Sequence, residues 1–167
     1  KRWAVKEVQT LASADLFFRE MNILTKLDHP CLPKMIDYFA PNEKGFAYLV
    51  MDFISGQTIE EWFQSNGRRV PVTDVLGIAL QLSRCFRYLH ESFARPIVYR
   101  DLKPSNVMLD EKGQVWLIDF GVARIYRDRQ GSDTFHFGTF HFAAPEQLEG
   151  RRSDQRTDLY GFGALLY

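Results

Sequence analysis

The sequence is poor in features that mark secreted, membrane-spanning or nucleic-acid-binding chains. Its two cysteines, Cys31 and Cys85, are far apart and have no C-x-x-C spacing, so we predict reduced thiols in a cytosolic protein. Basic and acidic residues balance at 21 each, which gives no electrostatic reason to expect nucleic acid or an anionic membrane as a partner. No window contains the ~18 apolar residues of a membrane span, and no signal peptide is visible.

The composition is that of an ordinary globular chain. Its 167 residues are 46% hydrophobic and 25% charged, without internal repeats. Alternating β-formers predict strands over these ranges: 2–8, 35–39, 46–51, 97–98, 107–109 and 115–118. Helical spacing and caps predict four helices: 14–27 capped by Ser13, a short one opened by Thr58 and ending near 66–67, a long one capped by Thr73, and a buried one from Thr157. For the long helix we expect a buried face at 76, 79, 80, 82, 83, 86 and 89.

The most informative segment runs from residue 98 to residue 124. It reads V-Y-R-D-L-K-P-S-N-V-M-L-D and then, after a turn, W-L-I-D-F-G-V-A-R. Carboxylate and amide oxygens suit a hard cation such as Mg²⁺, and a carboxylate can accept a proton from a hydroxyl. The polar residues that could do this are Asp101, Lys103, Asn106 and Asp119. Each alone is equally typical of a turn, so the specificity lies in their order together with A-P-E at 144–146.

These motifs in this order resemble the eukaryotic-type protein kinase family, and Lys103 resembles its Ser/Thr branch. The segments A-A-P-E-Q and R-T-D-L-Y-G-F-G resemble the sequences of bacterial Ser/Thr kinases. The resemblance implies an α+β, two-lobe protein kinase-like fold. Residues 1–53 would form a partial, small antiparallel β lobe, and residues 54–167 a partial, mainly helical large lobe. It also implies ATP and Mg²⁺ as cofactors and a protein with Ser or Thr hydroxyls as substrate.

The same resemblance gives individual residues catalytic roles. Asp101 would be the catalytic base and Lys103 would face the γ-phosphate, while Asn106 and Asp119 would hold magnesium. Lys6, in W-A-V-K, would hold the α- and β-phosphates while paired with a helix carboxylate.

Glu20 is the carboxylate that matches as partner of Lys6. Glu7 and Asp15 are the competing carboxylates. Glu7 points to the strand face opposite Lys6. Asp15 lies in the first helical turn, where its negative charge interacts favourably with the helix dipole. An isolated lysine or glutamate is usually a surface residue, and only the motif context favours the pair.

The remainder of the nucleotide site is also implied by resemblance. Ala4 and Met108 would sandwich the adenine, Asp52 to Ile54 would form the hinge, and Met51 would take the gatekeeper position. Four residues would stack as a hydrophobic spine between the lobes: Leu24, Met35, Tyr99 and Phe120. Ordinary core packing is the alternative interpretation, and such a spine is a special case of it.

Regulation is expected from the loop that follows D-F-G. Arg100 would pair with a phosphate on Thr134, the first choice, or on Ser132. Thr139 resembles a structural threonine of the peptide-binding ledge, and Asp158 a helix carboxylate that holds the catalytic loop backbone. Glu146, in A-P-E, normally pairs with an arginine that this chain does not contain. His136 and His141 have no third ligand in the sequence nearby, so we do not expect a metal there.

The pattern departs from the family in three ways. No G-x-G-x-x-G loop precedes Lys6, the helices expected after Tyr167 are absent, and Tyr99 stands where the family has histidine. We therefore expect a truncated catalytic domain that is inactive and poorly stable alone. A pseudokinase scaffold and a small-molecule phosphotransferase stay as alternatives. We expect a cytoplasmic catalytic domain. A dimer for autophosphorylation and a membrane anchor outside this segment are both left open.

Overall fold

The computed structural model describes residues 1–10, 14–126 and 141–167. Its strands are β1 (Trp3–Gln9), β2 (Met35–Phe39), β3 (Phe46–Asp52), β4 (Gly56–Thr58), β5 (Ile97–Val98), β6 (Val107–Asp110), β7 (Val115–Leu117) and β8 (Arg124–Ile125). Its helices are α1 (Ala14–Leu24), α2 (Ile59–Ser65), α3 (Val72–Glu91), α4 (Pro145–Leu148) and α5 (Gln155–Leu166), with a 3₁₀ turn at Pro104–Asn106. The predicted α+β fold with antiparallel strands is confirmed.

The first 53 residues form one antiparallel sheet and helix α1. The strands lie in the order β1-β3-β2, and β1 pairs with β3 along its whole length. Along β1 the side chains alternate between exposed and half-buried, which turns Lys6 inward and Glu7 outward. The division into two lobes at residue 53 stays a prediction.

The remaining elements build a mainly helical part around α3. Two further antiparallel sheets, β4-β6-β7 and β5-β8, lie in this part. Thr58 opens α2 with the predicted capping box, because its hydroxyl accepts from the Glu61 N–H while Glu61 accepts from the Thr58 N–H. Strands β4 and β8 were not predicted from the sequence. Gly56 is required in β4, since a Cβ there would lie 2.1 Å from the Leu109 carbonyl oxygen.

Helix α1 ends three residues earlier than the predicted boundary at residue 27. The Thr25 hydroxyl donates to the Met21 carbonyl, and the next two amides, of Lys26 and Leu27, form tighter i→i−3 bonds. The predicted cap, Ser13, lies outside the described residues.

The predicted start and face of α3 were wrong in part. The helix begins at Val72 after Pro71, so Thr73 lies inside its first turn and does not cap it. Leu76 and Leu80 are 57% and 60% exposed. At about 100° per residue, they project away from the face that is buried. That face consists of Ile78, Leu82, Cys85, Phe86 and Leu89.

Helix α5 is present as predicted but is buried on one side only. It begins at Gln155, and the Asp154 side chain accepts from the Arg156 N–H. Thr157, Asp158 and Gly161 are buried. Leu159 and Tyr160 are about half exposed, so the predicted burial of this helix is present on one side and absent on the other.

Candidate active site

One lysine joins three separate elements at the centre of the candidate site. The Lys6 ammonium, on β1, lies 2.7 Å from Oε1 of Glu20 on α1 and 2.7 Å from Oδ1 of Asp119, two residues after β7. The predicted contact between Lys6 and Glu20 is therefore present. Asp119 has φ 62°, a left-handed conformation that turns its side chain back towards Lys6.

Burial and charge act against each other on these three groups. Burial raises the pKa of Glu20 and outweighs the Lys6 ammonium, so the net shift is upward. At Asp119 burial also raises the pKa, but Lys6 and the Gly121 N–H more than offset it, and the net shift is downward. At Lys6 burial lowers the pKa, yet the two carboxylates together raise it above the ordinary value. Lys6 is therefore held as an ammonium and Asp119 as a carboxylate.

A second cluster surrounds Asp101 in the loop after β5. Oδ2 of Asp101 accepts hydrogen bonds from Lys103 Nζ and Asn106 Nδ2, both at 2.8 Å. Nδ2 of Asn106 also donates to the Asp101 backbone carbonyl at 2.9 Å. The 3₁₀ turn at Pro104–Asn106 brings the asparagine back over the aspartate. The structure thus brings together the three predicted residues of this loop.

The loop that carries Asp101 is anchored by a buried carboxylate. Asp158 accepts from the Tyr99 N–H at 2.9 Å and from the Arg100 N–H at 2.7 Å, so the predicted contact with this backbone is present. Nε2 of His90 lies 2.8 Å from Oδ2 of Asp158, a partner that the sequence analysis did not identify. His90 lies on α3, and nothing in its position in the sequence indicates a contact with Asp158.

Tyr99 connects the catalytic loop to the D-F-G segment. Its hydroxyl donates to the carbonyl of Ile118, and its ring packs edge-on against Phe120 with centroids 5.1 Å apart. Burial raises the pKa of Tyr99 well above its ordinary value, so the hydroxyl keeps its proton and stays a donor. The tyrosine that stands where the family has histidine therefore keeps a ring at this position, and here it also donates a hydrogen bond.

A cleft of about 370 Å³ opens beside Lys6, within the usual range for a small-molecule site. The predicted nucleotide-site residues all line it: Ala4, Lys6, Glu20, Met51, Asp52, Ile54, Met108 and Asp119. Phe53, within the predicted hinge, also lines it, whereas the lining residues Val5, Pro33 and Ile118 were not predicted, because they are apolar and carry no chemical signal. The cleft is therefore largely apolar and is charged at the end where Lys6 lies.

The donor set fits a magnesium ion held jointly with phosphates. Oδ1 of Asn106 accepts no hydrogen bond from the described residues, while its Nδ2 is committed to Asp101. Asp119 keeps its carboxylate form, and one or two such oxygen ligands are what Mg²⁺ uses at phosphate sites. In the described ranges no cluster of three His, Cys, Asp or Glu residues forms a separate metal site. Of the two histidines near 140, His136 lies outside those ranges.

Comparison with families of known proteins matches residues 1–167 to the protein kinase domain. The chain is 37% identical over 155 residues to serine/threonine-protein kinase PkaA of Streptomyces coelicolor, which covers 90% of this chain and 27% of PkaA. Serine/threonine-protein kinase PrkC of Bacillus subtilis is 30% identical over 152 residues, covering 90% of this chain and 22% of PrkC. LRR receptor-like serine/threonine-protein kinase FEI 2 of Arabidopsis thaliana is 30% identical over 168 residues, covering 98% and 28%.

The chain belongs to the protein kinase domain family. Its relatives include Ser/Thr kinases of bacteria, as the motifs predicted, and of a plant. The chain spans about a quarter of the length of the curated relatives it matches. Within the part of the kinase domain described, no helix is long and apolar enough to cross a bilayer.

The predicted regulatory and structural residues of the kinase are only partly described. Thr134, Ser132 and Thr139 lie outside the described residues. The Arg100 side chain is buried, and its Nε donates to the Ser153 hydroxyl at 3.2 Å. Glu146 accepts from the Thr157 hydroxyl at 2.6 Å, a contact that the sequence analysis did not anticipate.

Proposed function

We propose that this chain carries the catalytic centre of a Ser/Thr protein kinase, which transfers the γ-phosphoryl group of Mg-ATP to protein hydroxyls. The observation that supports this most is the position of Lys6. Its ammonium lies between Glu20 and Asp119, 2.7 Å from each, at the charged end of a cleft of nucleotide size. Lysine, helix glutamate and D-F-G aspartate are the groups that phosphoryl transfer by this family needs in place together.

In this proposal, residues 1–53 and 54–167 are two lobes that hold the nucleotide between them. The apolar side chains of Ala4 and Met108 contact the two faces of the adenine, and the backbone from Asp52 to Ile54 pairs with its edge, next to Met51. Lys6 then binds the α- and β-phosphate oxygens, and Glu20 keeps the ammonium in position. The apolar lining of the cleft and the cluster of charged groups around Lys6 support this orientation.

The residues of the catalytic loop act on the acceptor. A carboxylate oxygen of Asp101 orients the substrate hydroxyl and takes its proton as the hydroxyl oxygen bonds to the γ-phosphorus. The bond from that phosphorus to the β–γ bridging oxygen breaks, and ADP leaves with the electron pair. Lys103, whose Nζ lies 2.8 Å from Asp101, balances the negative charge of the transferred group.

Asn106 and Asp119 are the residues that would hold magnesium, through Oδ1 of the asparagine and the carboxylate of the aspartate. When bound, the metal neutralises phosphate charge and fixes the phosphates for in-line transfer. The hydrogen bonds from Asn106 Nδ2 to Asp101 keep the amide oriented, so the metal ligand and the base depend on each other.

Regulation by phosphorylation of Thr134 or Ser132 is part of the proposal, with autophosphorylation between two copies as its source. Arg100 adjoins Asp101, and its side chain reaches the Ser153 hydroxyl and the Val122 carbonyl, just after D-F-G. A phosphate on the loop would add a charged partner there. The inactivity expected of the 167 residues alone stays a prediction.

The test is transfer of labelled phosphate from ATP and Mg²⁺ by the full-length protein to a generic protein substrate, followed by phosphoamino-acid analysis. Label on serine or threonine is the expected result. Label on tyrosine would contradict the Ser/Thr assignment, and label on a small molecule only would favour a small-molecule phosphotransferase. No transfer by folded protein that binds ATP would favour the pseudokinase alternative.

A further inference from the structure

The residue before the proposed base has its whole backbone held by side chains. Arg100 has φ 74°, a left-handed conformation that is unfavourable for any residue with a Cβ. Its N–H donates to Oδ1 of Asp158 on α5 at 2.7 Å. Its carbonyl accepts from Nε2 of Gln147 on α4 at 2.8 Å. Two helices thus hold opposite sides of one strained residue.

Gln147 uses both ends of its amide. While Nε2 donates to the Arg100 carbonyl, Oε1 accepts from the backbone N–H of Ala144 at 3.1 Å. The second contact fixes the amide relative to the start of α4, so the glutamine cannot rotate without losing two hydrogen bonds. It therefore connects the A-P-E segment directly to the catalytic loop.

This connection bears on the base because of peptide planarity. The carbonyl of Arg100 and the N–H of Asp101 belong to one rigid plane. Fixing the carbonyl fixes the plane from which the Asp101 side chain projects. The carboxylate is then held from its other side by Lys103 and Asn106.

We propose that Gln147 is a positioning residue for phosphoryl transfer, which sets the left-handed turn at Arg100 and thereby aims the Asp101 carboxylate at the acceptor hydroxyl. The proposal rests on the proposed kinase function, which it extends by assigning a role to the residue that follows A-P-E. Gln147 acts through the backbone of Arg100 and touches neither ATP nor the acceptor in this role.

The test compares two variants of the full-length protein. Gln147→Glu keeps an acceptor for the Ala144 N–H but replaces the donor to Arg100 with a carboxylate oxygen, whereas Gln147→Met removes both contacts. The matched control is Gln81→Met, because Gln81 also bridges two backbone groups, the Gly113 carbonyl and the Val115 N–H, away from the catalytic loop.

We expect kcat to fall about tenfold in both Gln147 variants, while the KM for ATP stays within about twofold, because the adenine cleft is untouched. Gln81→Met should lower the melting temperature but leave kcat near that of the wild type. Unchanged kcat in Gln147→Glu and Gln147→Met, with or without a loss of stability, would overturn the proposal.

A second measurement does not depend on turnover. Hydrogen exchange of the Arg100 and Asp101 amides should be faster in both Gln147 variants than in the wild type, while the α3 amides exchange as before. If the wild-type protein transfers no phosphate, the proposed function fails. The exchange experiment then still decides whether Gln147 holds the backbone turn at Arg100. Equal exchange at Arg100 and Asp101 in all three proteins would then overturn the inference.

Discussion

Lys6 and Asp119 are 113 positions apart in the chain, yet the Lys6 ammonium lies 2.7 Å from Oδ1 of Asp119. The same ammonium lies 2.7 Å from Glu20, whose side chain is 4% exposed. One cation therefore compensates two carboxylates from different elements. The charge balance of the site therefore depends on it.

Replacing Lys6 by Met is expected to lower kcat/KM for ATP by about 10²-fold or more, because the phosphates lose their positioning cation. Glu20 would also stay buried without its partner. Steady-state kinetics of the full-length protein provide the measurement. Lys34→Met is the control, since Lys34 is exposed and its nearest carboxylate, Asp28, is 3.8 Å away. Equal losses in the two variants would contradict the role of Lys6.

Glu20→Gln should lower kcat/KM for ATP by about tenfold, because an amide keeps the shape of the side chain but removes the charge that holds Lys6. Glu7→Gln is the matched control. Glu7 is next to Lys6 in β1, and its side chain is exposed on the opposite face of the strand. We expect Glu7→Gln to retain wild-type kinetics. Loss of activity in Glu7→Gln alone would show that the partner of Lys6 has been misassigned.

Tyr99→Phe is expected to destabilise the protein by about 1 kcal/mol, since the partly buried hydrogen bond to the Ile118 carbonyl is lost. Urea unfolding of Tyr99→Phe measures this. Tyr38→Phe is the comparison, because Tyr38 is 43% exposed and should change stability little. A Tyr99→Phe protein as stable as the wild type would mean that this hydrogen bond contributes nothing net.

Much of the site could be predicted from sequence because its residues lie within short motifs. Asp101, Lys103 and Asn106 are within six positions of one another, so a single loop conformation brings them together. Two contacts between residues that are distant in the sequence were missed, although the contact of Asp158 with the backbone of Tyr99 and Arg100 was predicted. His90 and Asp158 are 68 positions apart, and Gln147 and Arg100 are 47 apart, so only the packing of α3, α4 and α5 identifies these contacts.

The buried face was predicted correctly for β1 and wrongly in part for α3. Strand β1 alternates strictly, and its inward face could be read from the sequence. Helix α3 has apolar residues on more than one face, so periodicity selected Leu76 and Leu80 together with the true core positions. Burial of a leucine depends on what packs against the helix, and that is not encoded in the local pattern.

The stability of the segment after α1 should depend on pH through His29. Nδ1 of His29 accepts from the Cys31 N–H at 3.2 Å, and the ring stacks on Tyr88 with centroids 4.9 Å apart. Burial lowers the pKa of His29, so the folded state binds a proton less readily than the unfolded state. The contribution of His29 to the free energy of unfolding is therefore complete above about pH 6.5 and is lost as the pH falls through the folded pKa.

Urea unfolding of the wild type and His29→Gln across this pH range tests the prediction. The difference in unfolding free energy between the two proteins should be largest above about pH 6.5 and should shrink on acidification. The comparison cancels the other histidines, including His90 beside Asp158. A difference that stays constant, or that grows as the pH falls, would rule out this role for His29.

The proposed roles of Asp101 as base and Asp119 as metal ligand can be separated in one experiment. In the full-length protein, nucleotide binding and phosphate transfer are measured across a Mg²⁺ titration for the wild type, Asp101→Asn and Asp119→Asn. We expect Asp101→Asn to bind Mg-ATP like the wild type but to transfer phosphate at least about 10²-fold more slowly. Asp119→Asn should lose the Mg²⁺ dependence of nucleotide binding. Transfer at the wild-type rate by Asp101→Asn, or unaltered Mg²⁺ dependence in Asp119→Asn, would rule out the proposed catalytic centre.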